Sequence, residues 1–223
     1  MGLPMMRALA WGRAFLLSCF MMLLHQGTAF CGEKPEPVKD YHALVKQLKS
    51  GDTSIDYARL RFSFTKTKEY NPYSPDGERD AMFEALNGEN FDAAVKHAQA
   101  VLEKNYVDLD AHFISRIGYR ELKNPEKSVF HSTVLKGLMD SIYESGDGQA
   151  PESAFVVIST SEEYFLLRMN GFRSVAQKGL EREGLTFDEL EVEKVKTGEK
   201  RKLYFNVDFP FRWLKSQMGT PPH

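Results

Sequence analysis

The chain has little cysteine, and the position of its two cysteines limits what it can do. Cys19 and Cys31 both lie within the first 31 of 223 residues. The rest of the chain therefore forms no internal disulfide and supplies no cysteine nucleophile. Structural zinc sites built on paired CxxC motifs are excluded for the same reason.

Familiar catalytic signatures are also missing. The sequence contains no HExxH, no GxSxG, no Walker A loop and no EF-hand loop, which are the short motifs that carry metalloprotease, serine hydrolase, nucleotide-binding and calcium-binding chemistry. We therefore predict no cofactor and favour a function that is not enzymatic.

An excess of basic residues is absent as well. Lys and Arg number 29 against 31 Asp and Glu, and without Arg7 and Arg13 the balance is 27 against 31. Nucleic acids and anionic membrane surfaces are bound by basic patches. The composition therefore predicts no nucleic-acid partner.

The first 31 residues have the pattern of a secretory signal. Arg7 and Arg13 form a positive start, and Ala14–Leu24 is an apolar run that is short for a membrane span of roughly 20 residues. Cleavage is predicted after Ala29 or after Cys31. A lipid anchor on the second cysteine is disfavoured because a phenylalanine precedes it. We expect an exported protein, periplasmic or extracellular, without a transmembrane span after cleavage.

Residues 32–39 are predicted to be a flexible leader, and residues 40–144 a helical region. Apolar residues recur there with the spacing of amphipathic helices. Six helices are predicted, over Tyr41–Leu48, Ile55–Thr65, Glu78–Leu86, Phe91–Lys104, Leu109–Leu122 and Pro125–Tyr143.

The stretch Leu86–His112 resembles a tetratricopeptide unit. The residues that carry the resemblance are a turn glycine, an aromatic helix start and three small helix residues: Gly88, Phe91, Ala94, Ala98 and Ala100. A second turn at Leu122–Asn124 follows 36 residues after the first, which is close to the family's period of about 34 residues. The resemblance implies antiparallel helical hairpins that hold a partner.

Residues 145–218 predict a smaller α+β region, followed by a tail at 219–223. Ala154–Ile158 is rich in strand formers, and a capping box from Thr160 to Glu163 predicts a short helix. Leu190–Val195 and Leu203–Val207 predict a hairpin. The predicted fold class is α+β, mainly α, with helical hairpins followed by a small antiparallel sheet that packs on them.

A second resemblance covers residues 38–208. Its motif order is Ser145-Gly146-Asp147-Gly148, Ala154–Ile158, Glu162-Glu163-Tyr164, Gln177 and Leu203–Val207. In this order the chain resembles an uncharacterised family of bacterial envelope proteins, a domain of unknown function. The resemblance implies architecture and an envelope location, and no activity.

Histidines form the best candidate site. Helix rise places His97, His112 and His131 within roughly 6–8 Å of one another in height on antiparallel neighbours. If their faces agree, they form a metal site together with a carboxylate such as Asp108 or Asp110. The alternative is that His97 is a solvated surface residue and the other two are satisfied by hydrogen bonds between helices. Capping explains the two aspartates equally well.

Three further candidates each have a structural alternative. Asp147, between two glycines, either holds a cation or orients a turn. Glu162 and Glu163 are either a general acid–base pair or, for Glu163, the acid of the capping box. The aromatic residues near the C-terminus either hold a ligand or belong to the core: Tyr204, Phe205, Phe209, Phe211 and Trp213.

The leading hypothesis is a non-enzymatic module that binds a protein or peptide, with another envelope protein as its partner. The alternative is a small hydrolase or metal-binding protein that uses His112, His131 and a nearby carboxylate. A role as an accessory factor in envelope assembly or glycan uptake has no direct support in the residues.

Overall fold

The computed structural model describes residues 37–73 and 77–219. The predicted signal, most of the predicted leader and most of the tail lie outside these residues. Helix α1 begins at Pro37, so the last three residues assigned to the leader are helical.

Helices dominate the first two thirds of the described chain. They are α1 (Pro37–Lys49), α2 (Tyr57–Phe64), α3 (Gly77–Asn87), α4 (Phe91–Lys104), α5 (Leu109–Glu121) and α6 (Pro125–Tyr143). Their starts follow from capping side chains: Asp56, Asn90, Asp108 and Asn124 each accept a hydrogen bond from the N–H three residues later. All six predicted helices are confirmed, with ends shifted by a few residues.

The α3–α4 and α5–α6 hairpins share the same turn. Glu89 and Lys123 are both left-handed, with φ of 55° and 59°. The next residues, Asn90 and Asn124, cap the second helix of each hairpin. These positions are 34 residues apart, so the spacing of 36 inferred from the turn residues is wrong by two. The left-handed turn, rather than the glycine, is the feature that repeats.

The C-terminal part is a four-stranded sheet with two helices. The elements are β1 (Phe155–Val156), α7 (Thr160–Met169), β2 (Phe172–Arg182), β3 (Leu185–Lys194), β4 (Lys200–Asn206) and α8 (Asp208–Met218). The strand order is β1-β4-β3-β2. The predicted β3–β4 hairpin is confirmed, but β1 pairs with β4 in parallel, so the sheet is not purely antiparallel.

Helices and sheet share one apolar core. Leu60 of α2 and Leu138 of α6 are fully buried, as are Phe165 of α7 and Phe205 of β4, and they belong to one contiguous cluster. The fold is therefore α+β and mainly α, as predicted. None of the helices in the described residues has the length and apolar character that a membrane crossing needs.

Candidate functional site

His112 and His131 meet in the core between α5 and α6. Their Nδ1 atoms are 3.0 Å apart, His112 Nε2 lies 3.0 Å from the Tyr106 carbonyl, and Gln99 Nε2 lies 3.4 Å from His131 Nε2. A carbonyl only accepts, so His112 carries its proton on Nε2 and accepts at Nδ1. His131 must then donate from Nδ1 and accept from Gln99. One pair of neutral tautomers satisfies all four ring nitrogens.

This arrangement keeps both rings neutral. Burial, together with the neighbouring His131, lowers the pKa of His112 to about 3, and burial together with the Lys127 charge lowers the pKa of His131 to about 4. His97 does not join them, because its Nδ1 lies 2.7 Å from Glu78 Oε2. Among residues 37–73 and 77–219, no group of three or more His, Cys, Asp and Glu side chains is placed to hold a metal ion.

Glu162 is engaged in a buried ion pair. Arg61 of α2 is fully buried and donates to both Glu162 oxygens at 2.9 and 2.7 Å. The same guanidinium donates to the Val156 carbonyl at 2.9 Å, and Glu162 also accepts the Ile158 N–H at 2.8 Å. With its charge and hydrogen bonds satisfied, Glu162 ties α7 and β1 to the helical layer.

Asp108 and Asp110 belong to a second ion-pair network. Arg79 of α3 donates to both aspartates, and Arg168 of α7 donates to Asp110. Asp108 also caps α5 by accepting the Ala111 N–H at 2.8 Å. The network borders a cavity of about 190 Å³. Its carboxylates hold three helices together and do not reach the histidine pair through any hydrogen bond in the described residues.

Asp147 has the role of a turn residue. Its carboxylate accepts the Gln149 N–H at 2.9 Å and the Ser153 hydroxyl at 2.6 Å, and these two bonds lower its pKa. The preceding Gly146 is required there, because a Cβ would lie 2.3 Å from the Ser153 carbonyl oxygen.

The five C-terminal aromatic residues lie in different environments. Phe205 is buried in the core, and the Tyr204 hydroxyl donates to a glutamate on the other face of the sheet. Phe209 stacks on a ring of α2 with centroids 5.3 Å apart, Trp213 contacts a tyrosine of the loop before α3, and Phe211 lies beneath a lysine of its own helix.

The capping box at α7 is one residue earlier than predicted. Ser159 is the N-cap and accepts the Glu162 N–H. Glu163 is therefore not the capping acid. Its side chain is fully buried, and neither carboxylate oxygen has a hydrogen-bond partner within the described residues. Local sequence did not reveal this, because a shift of one residue on a helix turns a side chain by about 100°.

Sequence reasoning also missed Asp188, a residue of β3 that lies beside Glu163 of α7. Asp188 accepts from Gln177 at 2.7 Å, and Tyr164 donates to the same Gln177 at 3.3 Å. Burial, and then the charge of Asp188, raise the pKa of Glu163 well above its usual value. The alternation of β3 was a usable signal, because Asp188 lies on the face of Leu190, which is buried.

A groove of about 310 Å³ lies between α6 and α7, over α5. We name it the α6–α7 groove and define it by Arg116, Leu135, Met139, Tyr143 and Met169. Met169 is 44% exposed. Arg116 stacks over a phenylalanine ring at 5.0 Å, and its Nε is buried without a hydrogen-bond partner in the described residues. These residues come from three helices, so no sequence motif marks the groove.

Comparisons with known proteins place the chain in a family. No curated protein and no solved structure gives a significant match. The family described as a domain of unknown function (DUF4919) matches residues 37–217, which includes every helix and strand named above except the last residue of α8. The chain belongs to this family of domains of unknown function.

Proposed function

We propose that the protein is a non-enzymatic module that holds a segment of another protein in the α6–α7 groove. The observation that carries the proposal is the groove itself, an apolar hollow with an exposed methionine at its edge and an unpaired arginine in its wall. Ligand sites are mostly apolar hollows with a few placed polar groups.

The apolar part suits a flexible or variable side chain. Met139 and Met169 are unbranched and adapt to the shape of what they contact. On α6, Leu135 and Met139 are one helical turn apart and both line the groove. An aliphatic or aromatic side chain of the partner would fill this surface.

The polar part favours an acidic partner. Arg116 forms no salt bridge with a described residue, whereas Lys136 at the same groove is paired with Asp140. A guanidinium over an aromatic ring and partly desolvated binds a carboxylate strongly, often through two hydrogen bonds. We infer a partner segment with one apolar anchor and one carboxylate.

The helical layer supports the same reading. Turns that repeat at 34 residues, with α3 beside α5, have the spacing of tetratricopeptide hairpins. Such hairpins present surfaces for partners. We further propose that binding takes place outside the cytoplasm, which rests on the charged start and apolar run within residues 1–31.

The hydrolase or metal-binding alternative has less support. His112 is fully buried, and both of its ring nitrogens contact protein atoms, so a ligand would have to displace an existing hydrogen bond. Elemental analysis of the purified protein tests this alternative: stoichiometric zinc, iron or manganese that is lost in the His112→Ala variant would establish it.

Site-specific photo-crosslinking tests the proposal. A photoreactive residue at Met169 should give discrete crosslinked species in cells. The same residue at Val195, which is 65% exposed outside the groove, is the matched control and should not. A synthetic peptide from the captured protein should compete, and Arg116→Glu should remove the crosslink. Equal labelling from both positions, or labelling unaffected by Arg116→Glu, would refute the proposal.

A further inference from the structure

Glu163 is the least satisfied ionisable group among the described residues. It has no exposed surface, and neither of its oxygens accepts a hydrogen bond. A buried carboxylate ordinarily lies beside a cation or several N–H groups, because leaving it unpaired costs free energy. No side chain or backbone group among residues 37–73 and 77–219 supplies the partner that Glu163 needs.

The surroundings of Glu163 show where such a partner would enter. Asp188 lies beside it on β3 and is half-buried, with one oxygen bonded to Gln177. Gly179 stands opposite Asp188 in the β2–β3 register, and a Cβ there would meet only an Asp188 oxygen at 4.0 Å. Gly179 therefore has no side chain that could cover the second Asp188 oxygen from β2.

Aromatic rings flank the two acids. Tyr73 is 44% exposed and contacts Trp213, with ring centroids 6.1 Å apart. Tyr164 is 37% exposed and is bonded through Gln177 to Asp188. Burial raises the pKa of both tyrosines, and the nearby charges of Asp188 and Glu163 raise it further. Carboxylates next to aromatic rings are the usual setting for binding an organic cation.

We propose that Glu163, Asp188, Gln177, Tyr73, Tyr164 and Trp213, here called the acid niche, bind an alkylammonium group. The ammonium forms charge-assisted hydrogen bonds with the two carboxylates and lies against the aromatic rings. It comes either from a small amine or from a lysine side chain of a protein. The acid niche is separate from the proposed α6–α7 groove, and neither proposal depends on the other.

The charged groups of the surrounding elements have other partners and do not pair with Glu163 or Asp188. On α7, Glu162 is committed to Arg61. On β3, Glu189 points to the other face, where it pairs with Lys202. On α8, Asp208 pairs with Arg212, and Lys215 lies over its own helix. Within the described residues, no lysine or arginine forms an ion pair with Glu163 or Asp188.

Ammonium binding and ionisation of the acid niche must be coupled. Without a cation, burial raises the pKa of both Glu163 and Asp188, so protons neutralise them. An ammonium replaces those protons. Affinity should therefore increase as pH rises, because fewer protons remain to be displaced.

Fluorescence of Trp213 in a Trp11→Phe background provides the measurement, since these are the two tryptophans of the chain. The probes are n-butylammonium chloride and an acetylated, amidated Gly-Lys-Gly tripeptide. We expect saturable binding to at least one of them, tighter at about pH 8 than at about pH 5. Saturation by n-butylammonium identifies a small amine as a sufficient ligand, and saturation by the tripeptide alone identifies a lysine side chain.

Three controls make the result decisive. The tripeptide with an acetylated lysine should not bind. Glu163→Gln should weaken binding at least about tenfold, the effect of removing one partner of a buried charge pair. Glu193→Gln, which removes a carboxylate from the other face of β3, should change nothing. The proposal is overturned if neither probe saturates up to about 10 mM, if the acetylated peptide binds equally well, or if Glu163→Gln leaves affinity unchanged.

Discussion

At the scale of single residues, Glu163 is expected to limit stability above neutral pH. The pKa of Glu163 is raised in the folded state, so the folded protein holds this proton more tightly than the unfolded chain does. The stability that this proton contributes is complete below the unfolded pKa of about 4.5 and is lost as pH rises. Glu163→Met should therefore raise the free energy of unfolding at pH 8 by about 1–3 kcal/mol, the cost of an unsatisfied buried polar group. Urea denaturation at pH 5 and pH 8 gives the measurement.

The control for this prediction is Glu181→Met, which removes an exposed carboxylate from β2. Glu181→Met should leave the difference in the free energy of unfolding between pH 5 and pH 8 as it is in the parent protein. If Glu163→Met destabilised the protein at pH 8, or kept the full pH dependence, the unpaired carboxylate would not be the cause.

The histidine pair has an opposite pH dependence. The pKa values of His112 and His131 are about 3 and about 4 in the folded protein, against about 6.5 in the unfolded chain. Between these pH values the unfolded chain therefore binds more protons than the folded protein. Stability is therefore complete above pH 6.5 and is lost as pH falls, by more than about 1 kcal/mol at pH 4. A His112→Met, His131→Met double variant should lose less between pH 7 and pH 4, as measured by urea denaturation.

NMR of the imidazole nitrogens examines the same pair directly. His112 should show the Nε2–H tautomer and His131 the Nδ1–H tautomer at pH 7, with no change at pH 5. His42 is exposed and supplies the reference signal. The same tautomer in both rings, or a signal of a charged imidazole from either ring at pH 5, would contradict the predicted hydrogen bonds of the pair.

Helix spacing indicated that His97, His112 and His131 could approach one another if their faces agreed, because rise per residue fixes height along antiparallel neighbours. His112 and His131 do meet, whereas His97 pairs with Glu78 instead. Tautomers, and the absence of a partner for Glu163, depend on atoms from distant segments. Such contacts leave no local pattern in the sequence.

At the scale of elements, the Arg61–Glu162 pair holds α7 against the helical layer. Arg61→Met alone should destabilise the protein by about 3–5 kcal/mol, because it leaves Glu162 buried and uncompensated. Adding Glu162→Met should recover most of that loss. Thermal or urea unfolding of the two single variants and of the double variant measures the coupling energy between Arg61 and Glu162. Additive losses would mean that the two side chains do not act as a pair.

The α4–α5 contact depends on Gly118. A Cβ at this position would lie 2.4 Å from Val95 Cγ2, so Gly118→Ala should cost about 1–3 kcal/mol through overpacking. This exceeds the gain of about 1 kcal/mol in helix propensity. In a Val95→Ala background the Cγ2 contact is gone and the Phe91 carbonyl oxygen, at 3.3 Å, is the close neighbour that remains, so Gly118→Ala should cost less stability there. An equal loss in both backgrounds would place the cause elsewhere.

Elements with a strong local signal were predictable, and β2 was not. Helices α4 and α6 were predicted to the residue, because asparagine caps precede a long amphipathic pattern. Strand β2 is exposed over most of its length and includes Lys178 and Gly179, which are poor strand formers. Its pairing with β3, rather than its own residues, determines its structure.

At the scale of the whole molecule, the helices and the sheet depend on each other. Two short hairpin repeats are too few to bury their own apolar faces. The sheet supplies what they lack, because Phe205 of β4 and Phe165 of α7 belong to the same core as Leu138 of α6. Helix α8 closes the arrangement when Phe209 stacks on Phe62 of α2.

This dependence predicts a single unfolding transition for residues 37–217. Circular dichroism at 222 nm reports chiefly the helices, and Trp213 fluorescence in the Trp11→Phe background reports the C-terminal part. The two urea midpoints should coincide. Phe209→Ala should lower both equally, with a loss of about 1–3 kcal/mol for a half-buried ring. Ser216→Ala, on the same helix, is the control and should shift neither midpoint. Two separate midpoints, or a Phe209→Ala effect confined to the fluorescence signal, would show that the helical layer is stable without the sheet.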